Sequence, residues 1–218
     1  MLKKYEKGVA TRATKVLAVA HSDVEKFKAY CPSASVQYLP VFIGKFEINN
    51  KEGTGNYCLY HGNLAIAENE EVCIELIQSV FKNISASLVI AGRNPSKQLH
   101  RLVSHFENIQ LVANPSDVQM KALIQNAHIN LVYSYNATGI KLKLIRALIY
   151  GRHCLVNDAA IEGTGLECCC VVIPNMDRLK IDIPELMQKP YLHAQNNLRN
   201  KFVRSQFDDH INAQKLIK

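Results

Sequence analysis

The chain has 218 residues, of which 48% are hydrophobic and 21% are charged. This composition can bury the core of a sizeable domain and excludes an intrinsically disordered chain. No stretch approaches the roughly 18 consecutive apolar residues of a transmembrane helix, and the basic start lacks the apolar centre of a secretory signal. The net charge of +7 and the pI near 9.0 favour an anionic partner, which could be a small ligand, an acidic membrane or nucleic acid.

The cysteines indicate a reducing compartment. Their number, seven, is odd, and three of them are consecutive, Cys168–Cys170. Without a signal sequence, we expect reduced buried thiols in a cytoplasmic protein. Consecutive cysteines on a strand point to alternate faces and cannot easily share one metal ion. Because the C-x-x-C and H-E-x-x-H motifs are also absent, we expect no metal site.

Residues 1–45 form a first block of alternating helices and strands. Ser22 followed by Glu25 fits a capping box at the start of its second helix. Residues 41–56 lack periodicity, and we place a linker at 46–56. The predicted elements of the block are a basic helix at 2–15, a buried strand at 16–20, a helix at 22–30 and a strand at 36–40.

Residues 57–174 alternate short apolar strands with amphipathic helices. This pattern predicts an α/β domain with a Rossmann-like, doubly wound parallel sheet. Residues 175–218 are predicted to add terminal helices at 182–189, 191–205 and 208–217. The predicted strands are 57–62, 87–92, 109–113, 129–134, 153–157 and 168–174, and the helices are 68–82, 95–106, 116–126 (capped by Ser116) and 139–150.

The helix predicted at 139–150 begins with cations. Lys141 and Lys143 occupy its first turn, Arg146 follows, and no acid appears until Asp158. The positive end of the helix dipole penalises each first-turn lysine by about 0.3–1 kcal/mol. We expect the Thr138 hydroxyl to cap this helix.

Two interpretations of the lysines remain open from these residues. The helix is apolar nearly all round and is predicted to be buried, with Gly151 just beyond its end and Gly139 allowing close approach to its start. A phosphate or diphosphate at the helix N-terminus would make the lysines favourable. Alternatively, both lysines extend into solvent. The G-x-G-x-x-G and P-loop motifs are absent, which weighs against a standard NAD or P-loop site.

The order of these segments resembles a known family. "YCLYHGNLAIAENEEVCIELI" (57–77), "SLVIAGRNPSKQLHRL" (87–102) and "TGIKLKLIRALIYGRHCLVND" (138–158) are similar to the C-terminal, donor-binding lobe of GT-B fold glycosyltransferases of the group 1, retaining type. The first block resembles the end of the N-terminal, acceptor-binding lobe. On this resemblance, the chain lacks most of the acceptor lobe.

The resemblance implies retaining glycosyl transfer from a nucleotide-diphosphate sugar to a glycan or lipid-linked acceptor, with no metal or other cofactor. From the cysteines and the basic charge we expect a cytoplasmic protein with peripheral contact to an acidic membrane, and we expect no nucleic acid partner. The resemblance does not identify the catalytic residues. The donor-binding residues that it implies are Gly62, Asn63, Arg93, Asn114, Thr138, Gly139, Lys141, Lys143 and Arg146.

Two positions depart from the family pattern. The family commonly places a glutamate at the position of Arg146 to bind the donor ribose, and another at Thr138. A guanidinium cannot accept hydrogen bonds from ribose hydroxyls. A second hypothesis is therefore a degenerate lobe that binds a sugar nucleotide or a protein partner without transfer. A third, a basic module for nucleic acid, ranks last because aromatic interleaving and known modules are absent.

Overall fold

The computed structural model describes residues 2–32 and 34–217. In chain order, its helices and strands are α1 (Leu2–Ala10), β1 (Lys15–Ala18), α2 (His21–Tyr30), β2 (Ser35–Tyr38), β3 (Tyr57–Asn63), α3 (Ala67–Glu75), β4 (Ser87–Arg93), α4 (Lys97–Val103), β5 (Ile109–Ala113), α5 (Asp117–Asn126), β6 (Ile129–Val132), α6 (Leu142–Tyr150), β7 (His153–Asn157), α7 (Asp158–Ile161), β8 (Val171–Ile173), α8 (Leu179–Met187), α9 (His193–Phe207) and α10 (Asp209–Ile217). A π-helical turn (Leu76–Val80) and a 3-10 turn (Phe81–Asn83) extend α3.

The centre of the molecule is a six-stranded parallel sheet with the order β5-β4-β3-β6-β7-β8. This is the doubly wound order, in which the chain starts at the middle, moves to one edge, and returns past its first strand to the other edge. The predicted Rossmann-like α/β fold is confirmed. The direction of winding reverses between the neighbouring strands β3 and β6, and such a reversal opens a crevice at the carboxyl ends of the strands.

Helices cover both faces of the sheet. On β3, Cys58 and Tyr60 pack against α3, α4 and α8, whereas Leu59 packs on the opposite face against α5. Helices α6 and α9 extend the layer on that opposite face, where Leu148 and Val203 are completely buried. Successive residues of a strand face opposite sides, so strands buried on both sides must be apolar at nearly every position.

The first block forms a separate two-stranded parallel sheet of β1 and β2. The Asp209 carboxylate at the start of α10 holds the segment after it, since it accepts hydrogen bonds from the Ile43 and Gly44 amides at 3.1 and 2.9 Å. The division of the chain at 1–45, 46–56, 57–174 and 175–218 stays a prediction.

Helix ends account for several of the wrong predictions. α1 ends at Ala10 rather than at residue 15. α2 begins one residue early, because the Asp23 and Val24 amides donate to the Ala20 carbonyl, and Ser22 forms no cap. The predicted cap of α5 is confirmed: Ser116 and Gln119 form a reciprocal capping box.

The strand predicted at 168–174 begins only at Val171. The amides of Cys169 and Cys170 donate to the Leu166 and Glu167 carbonyls in a 3-10 turn, so they cannot join the sheet. All seven cysteines are free thiols; five are buried and Cys168 is exposed.

Gly92 is required by the close approach of two chain segments. A Cβ atom at Gly92 would lie 2.1 Å from the Gly62 carbonyl oxygen and 2.8 Å from Cγ of Leu64. Backbone of a central strand cannot move aside without breaking the neighbouring hydrogen bonds, so overpacking there is costly.

We expect Gly92→Ala to lower the free energy of unfolding by about 3 kcal/mol. The matched control is Gly8→Ala, because a Cβ atom at Gly8 meets nothing within 4 Å and alanine favours helix α1 by about 0.5–1 kcal/mol. Urea denaturation of both variants measures the difference. A loss below about 1 kcal/mol for Gly92→Ala would contradict this packing.

Two buried histidines lie at the amino ends of β6 and β7. Nε2 of His128 and Nε2 of His153 donate to the carbonyls of Leu186 and Lys189, each at 2.9 Å. Burial is the main reason that the pKa of His153 falls to about 4. Since the unfolded imidazole has a pKa of about 6.5, unfolding below that pH takes up a proton.

Stability is therefore expected to be level above pH 6.5 and to fall as the pH drops from 6.5 towards 4. His153→Gln, which retains an N–H donor for Lys189, should reduce this slope. It should not abolish it, because burial also lowers the pKa of His61 and of His128. His100→Gln, at an exposed position of α4, serves as the control. Thermal unfolding midpoints between pH 4 and 8 measure the slopes, and equal slopes for wild type and His153→Gln would refute the assignment.

Candidate functional site

The candidate site lies where β3 and β6 run side by side. Helix α3 leaves β3 towards one face of the sheet, and α6 leaves β6 towards the other. Their N-termini thus flank the carboxyl ends of the two central strands. The donor-binding residues predicted from the sequence lie at the carboxyl ends of β3, β4 and β5, in the loop between β6 and α6, or on α6.

The loop after β6 is held by a carboxylate of α3. Glu68 accepts hydrogen bonds from Ser134 Oγ at 2.5 Å, from the Tyr135 amide at 2.9 Å and from the Asn136 amide at 3.1 Å. The Ser134 hydrogen bond is the main cause that lowers the pKa of Glu68, and the two amides lower it further. The Tyr135 hydroxyl donates a hydrogen bond to Glu75, the last residue of α3. The loop is therefore anchored to α3.

This anchoring overturns the predicted cap of α6. The Thr138 amide donates to Asn136 Oδ1 at 2.8 Å, and α6 begins only at Leu142. Lys141 occupies the N-cap position, and no side chain caps the helix. The first amides of α6 are left without the side-chain oxygen that usually satisfies them. Gly139 adopts a φ of +69°, in the region that glycine tolerates best.

The two lysines of this helix start have different surroundings. Lys141 is half-buried, and its Nζ donates to the Thr138 carbonyl at 2.8 Å. Burial lowers the pKa of Lys141, and the charge of Glu68 opposes this effect. A single neutral acceptor leaves two N–H groups of this ammonium for a ligand.

Lys143 reaches across the end of β6 instead. Its Nζ lies 3.2 Å from Tyr60 Oη, 3.2 Å from Asn69 Oδ1 and 3.4 Å from the Tyr133 carbonyl, and 4.7 Å from the centre of the Tyr60 ring. Burial lowers the pKa of Lys143 to about 8. Its three N–H donors have acceptors within the protein, so it ties α6 to β3 and α3. Lys143 therefore does not extend into solvent, and the interpretation in which both lysines do so is wrong for this residue.

His61, which the sequence did not single out, lies next to the candidate site near the end of β3. It precedes Gly62 on β3 and, by strand alternation, faces the same side as Leu59, the side that α6 covers. Its Nε2 is buried without a hydrogen-bond partner among residues 2–32 and 34–217. Burial, followed by the charges of Lys143 and Arg146, lowers the pKa of His61 to about 3. The only sequence signal was its place at a strand end.

The turns after β3, β4 and β5 are built from asparagines. Asn63 Oδ1 accepts from the Ala65 amide at 3.2 Å, and Asn114 Oδ1 accepts from the Asn94 amide at 2.8 Å. Asn94 and Asn114 both adopt a φ of +52°. These oxygens stabilise the turns themselves, so what Asn63 and Asn114 offer a ligand is mainly their amide N–H groups. Arg93, at the end of β4, is exposed.

Arg146 lies one turn into α6 and lines a groove of about 550 Å³ between α5, α6 and the segment 42–46. It makes no hydrogen bond or ion pair within the described part of the chain. A larger cavity of about 860 Å³ lies between the segment 42–47 and residues 204–213 of α9 and α10. Its lining includes no residue of the six-stranded sheet or of α6. The groove next to α6 is therefore the one that adjoins the candidate site.

The family comparison agrees with this architecture. The six-stranded parallel sheet with helices on both faces and a switch point between β3 and β6 is a Rossmann-like α/β lobe. The chain matches the family model described as glycosyl transferases group 1 over residues 55–188, which is more than half of its length. The chain belongs to this family. No curated protein matches the chain in a comparison of sequences.

Solved structures share the fold at low sequence identity. A point mutant of TarM from S. aureus, solved with Fondaparinux, alpha-GlcNAc-glycerol and UDP, is 13% identical, with a TM-score of 0.76 over 99% of this chain and 45% of that one. A trehalose-phosphate synthase from Burkholderia xenovorans is 9% identical, with a TM-score of 0.74 over 98% of this chain and 62% of that one. HepE of Anabaena, solved with UDP and glucose, is 11% identical, with a TM-score of 0.70 over 98% of this chain and 65% of that one. The chain thus spans less than two thirds of each of these proteins.

Within the described ranges, no helix is long and apolar enough to cross a membrane.

The anchoring role of Glu68 can be tested by hydrogen exchange. We expect Glu68→Ala to increase the exchange rates of the Tyr135 and Asn136 amides at least about tenfold, because the Tyr135 amide loses its acceptor and the Asn136 amide keeps only the Ser134 hydroxyl at 3.3 Å, which itself loses its contact with Glu68. Glu71→Ala, an exposed position on the same helix, is the control and should leave both rates unchanged. Amide exchange followed by NMR at pH 7 measures them. Unchanged rates in Glu68→Ala would show that the loop is held by other contacts.

Proposed function

We propose that this chain is the donor-binding half of a glycosyltransferase and holds the diphosphate of a nucleotide sugar at the N-terminus of α6. The observation that carries the proposal is that uncapped N-terminus, which lies at the switch between β3 and β6 with Lys141 beside it. Free amides and the dipole of a buried helix favour an anion there. Membership of the group 1 glycosyl transferases supports the assignment.

The same geometry suits the chemistry of the leaving group. When a glycosyl group is transferred, negative charge develops on the departing nucleoside diphosphate. Fixed helix amides and a nearby ammonium stabilise that charge without reorganising, and the low polarity of a buried site strengthens them. In this proposal, the helix and Lys141 supply the charge compensation, so we include no metal or other cofactor. Gly62, Arg93 and Gly139 border the same crevice.

Transfer by the whole protein extends this proposal. We infer that the sugar goes, with retention of its configuration, to a glycan or lipid-linked acceptor held by an acceptor lobe, of which residues 1–45 resemble the end. The first 30 residues carry seven Lys or Arg against three acids. This excess of positive charge supports peripheral contact with an acidic membrane on the cytoplasmic side.

A second candidate function is binding without transfer. It is favoured by Arg146 and Thr138, which stand where the resemblance leads one to expect carboxylates. Such a lobe would still bind a nucleoside diphosphate at α6. Transfer assays with the acceptor lobe present distinguish the two functions, whereas binding assays on this chain test the donor site that both share.

We expect Lys141→Ala to weaken the binding of UDP about fivefold to tenfold, because one ammonium next to a diphosphate contributes about 1 kcal/mol. Binding of uridine, which lacks phosphates, should stay unchanged. Lys82→Ala, an exposed position far along the chain from α6, is the matched control. Isothermal titration calorimetry measures all three proteins.

Two results would count against the donor site. One is an equal affinity of wild type and Lys141→Ala for UDP. The other is the absence of binding by any nucleoside diphosphate at millimolar concentration.

A further inference from the structure

Three charged side chains share the α5–α6 groove without pairing. We use this name for the groove of about 550 Å³ described above, whose lining includes Asp117, Lys121 and Arg146. None of the three forms an ion pair or a side-chain hydrogen bond with any other residue that the structure describes. Apolar side chains fill the rest of the lining: Phe42, Ile43, Phe46, Leu142, Ile145 and Ile149, together with Val118 and Tyr150.

Asp117 is the first residue of α5, is exposed, and has no side-chain partner among the described residues. Asp117 and Lys121 are four residues apart on α5, a spacing at which an acid and a lysine can pair. Here the Nζ of Lys121 instead lies 4.5 Å from the centre of the Tyr150 ring. The cation is thus held by an aromatic face on α6, and the carboxylate keeps all of its acceptor positions.

The groove reaches the first residue of α6, the helix at whose N-terminus the diphosphate is proposed to bind. Leu142 is the first residue of α6 and also lines the groove, and Arg146 follows one turn later. A nucleotide whose diphosphate meets the N-terminus of α6 therefore has its nucleoside next to these three charges. Phe42 and Phe46, from the segment that covers the groove, provide flat apolar surfaces of the kind on which a base stacks.

We propose that the α5–α6 groove binds the base of the donor and selects bases that present a ring N–H beside a carbonyl, namely uracil and guanine. Asp117 accepts the hydrogen bond of the ring N–H, and Arg146 and Lys121 donate to the carbonyl oxygen. Adenine and cytosine present an unprotonated ring nitrogen beside an amino group at that edge. Their ring nitrogen would face a carboxylate that has no proton to give.

This inference rests on the proposed function and gives Arg146 a task that a carboxylate could not perform. A guanidinium is a poor match for ribose hydroxyls that need an acceptor, but it is a strong donor to a carbonyl oxygen. Arg146 and Asp117 would thus act as specificity-determining residues.

The test is calorimetric titration of the chain with UDP, GDP, ADP and CDP. We expect UDP and GDP to bind at least about tenfold more tightly than ADP and CDP, the factor expected when a hydrogen bond to a charged group is lost. Asp117→Asn should reduce this preference to less than about twofold, because its neutral amide oxygen is a weaker acceptor for the ring N–H of UDP and GDP and its NH2 group can donate to the ring nitrogen of ADP and CDP. Asp23→Asn, the same substitution in the first turn of α2, is the control and should change none of the four.

The outcomes separate this inference from the function on which it rests. Equal binding of all four nucleotides, or the same preference in wild type and Asp117→Asn, overturns base selection by the groove and leaves the diphosphate site standing. Tighter binding of ADP or CDP also overturns it. If none of the four binds, the proposed donor site fails and this inference fails with it.

Discussion

The architecture of the site depends on one carboxylate. Glu68, in the first turn of α3, gathers a hydroxyl and two amides of the loop that follows β6. Those two elements lie on opposite sides of the point where the sheet reverses its winding. The Thr138 amide donates to Asn136 within this anchored loop, and α6 begins only at Leu142, so Thr138 is not its N-cap. The Leu144 amide donates to the Lys141 carbonyl, and no side chain caps the helix, so the earlier amides of its first turn remain available to a ligand.

Three basic side chains, Lys141, Lys143 and Arg146, lie near this switch point and differ in their surroundings. Lys143 is enclosed by acceptors of β3 and α3, so its charge is fixed in place as part of the scaffold. Lys141 is half-buried at the helix start with donors to spare, and Arg146 lies one turn deeper. Together with burial, Lys143 and Arg146 keep His61 neutral at physiological pH. An imidazole there adds no further repulsion between cations.

Long-range features of this fold were predictable from the sequence, and local details were less so. The apolar strands and intervening helices of 57–157 appear in the predicted order, because burial on both faces demands apolar residues at nearly every strand position. Their ends are less accurate: α6 begins at Leu142 rather than at 139, and β6 ends at Val132 rather than at 134. The cap of α5 was also predictable, since Ser116 and Gln119 are three residues apart and need no other partner. A short motif is thus sufficient to predict a helix cap when its residues need no partner elsewhere in the chain.

Predictions failed where hydrogen bonds that no local motif reveals decide the backbone conformation. Thr138 has the chemistry of an N-cap, but its loop is held by Glu68, about 70 residues earlier, which no local pattern reveals. Cys168–Cys170 have an apolar pattern typical of a strand, but a 3-10 turn uses the amides of Cys169 and Cys170 before the strand begins. The enclosure of Lys143 depends likewise on Tyr60 and Asn69, which only the folded sheet brings to α6.

The α5–α6 groove is lined by three charged residues, Asp117, Lys121 and Arg146. An arginine in the middle of a mostly apolar helix is costly to desolvate unless a ligand or solvent faces it. Here the same groove contains Lys121, which an aromatic ring holds, and Asp117, which keeps its acceptors free. Asp117 on α5 is a hydrogen-bond acceptor, and Lys121 on α5 and Arg146 on α6 are donors. Such a set suits the edge of a base that both donates and accepts hydrogen bonds. On this view, Arg146 is neither a damaged ribose site nor an isolated surface charge. It is one member of a three-residue arrangement whose other members lie on α5, next to the helix end where the diphosphate would bind.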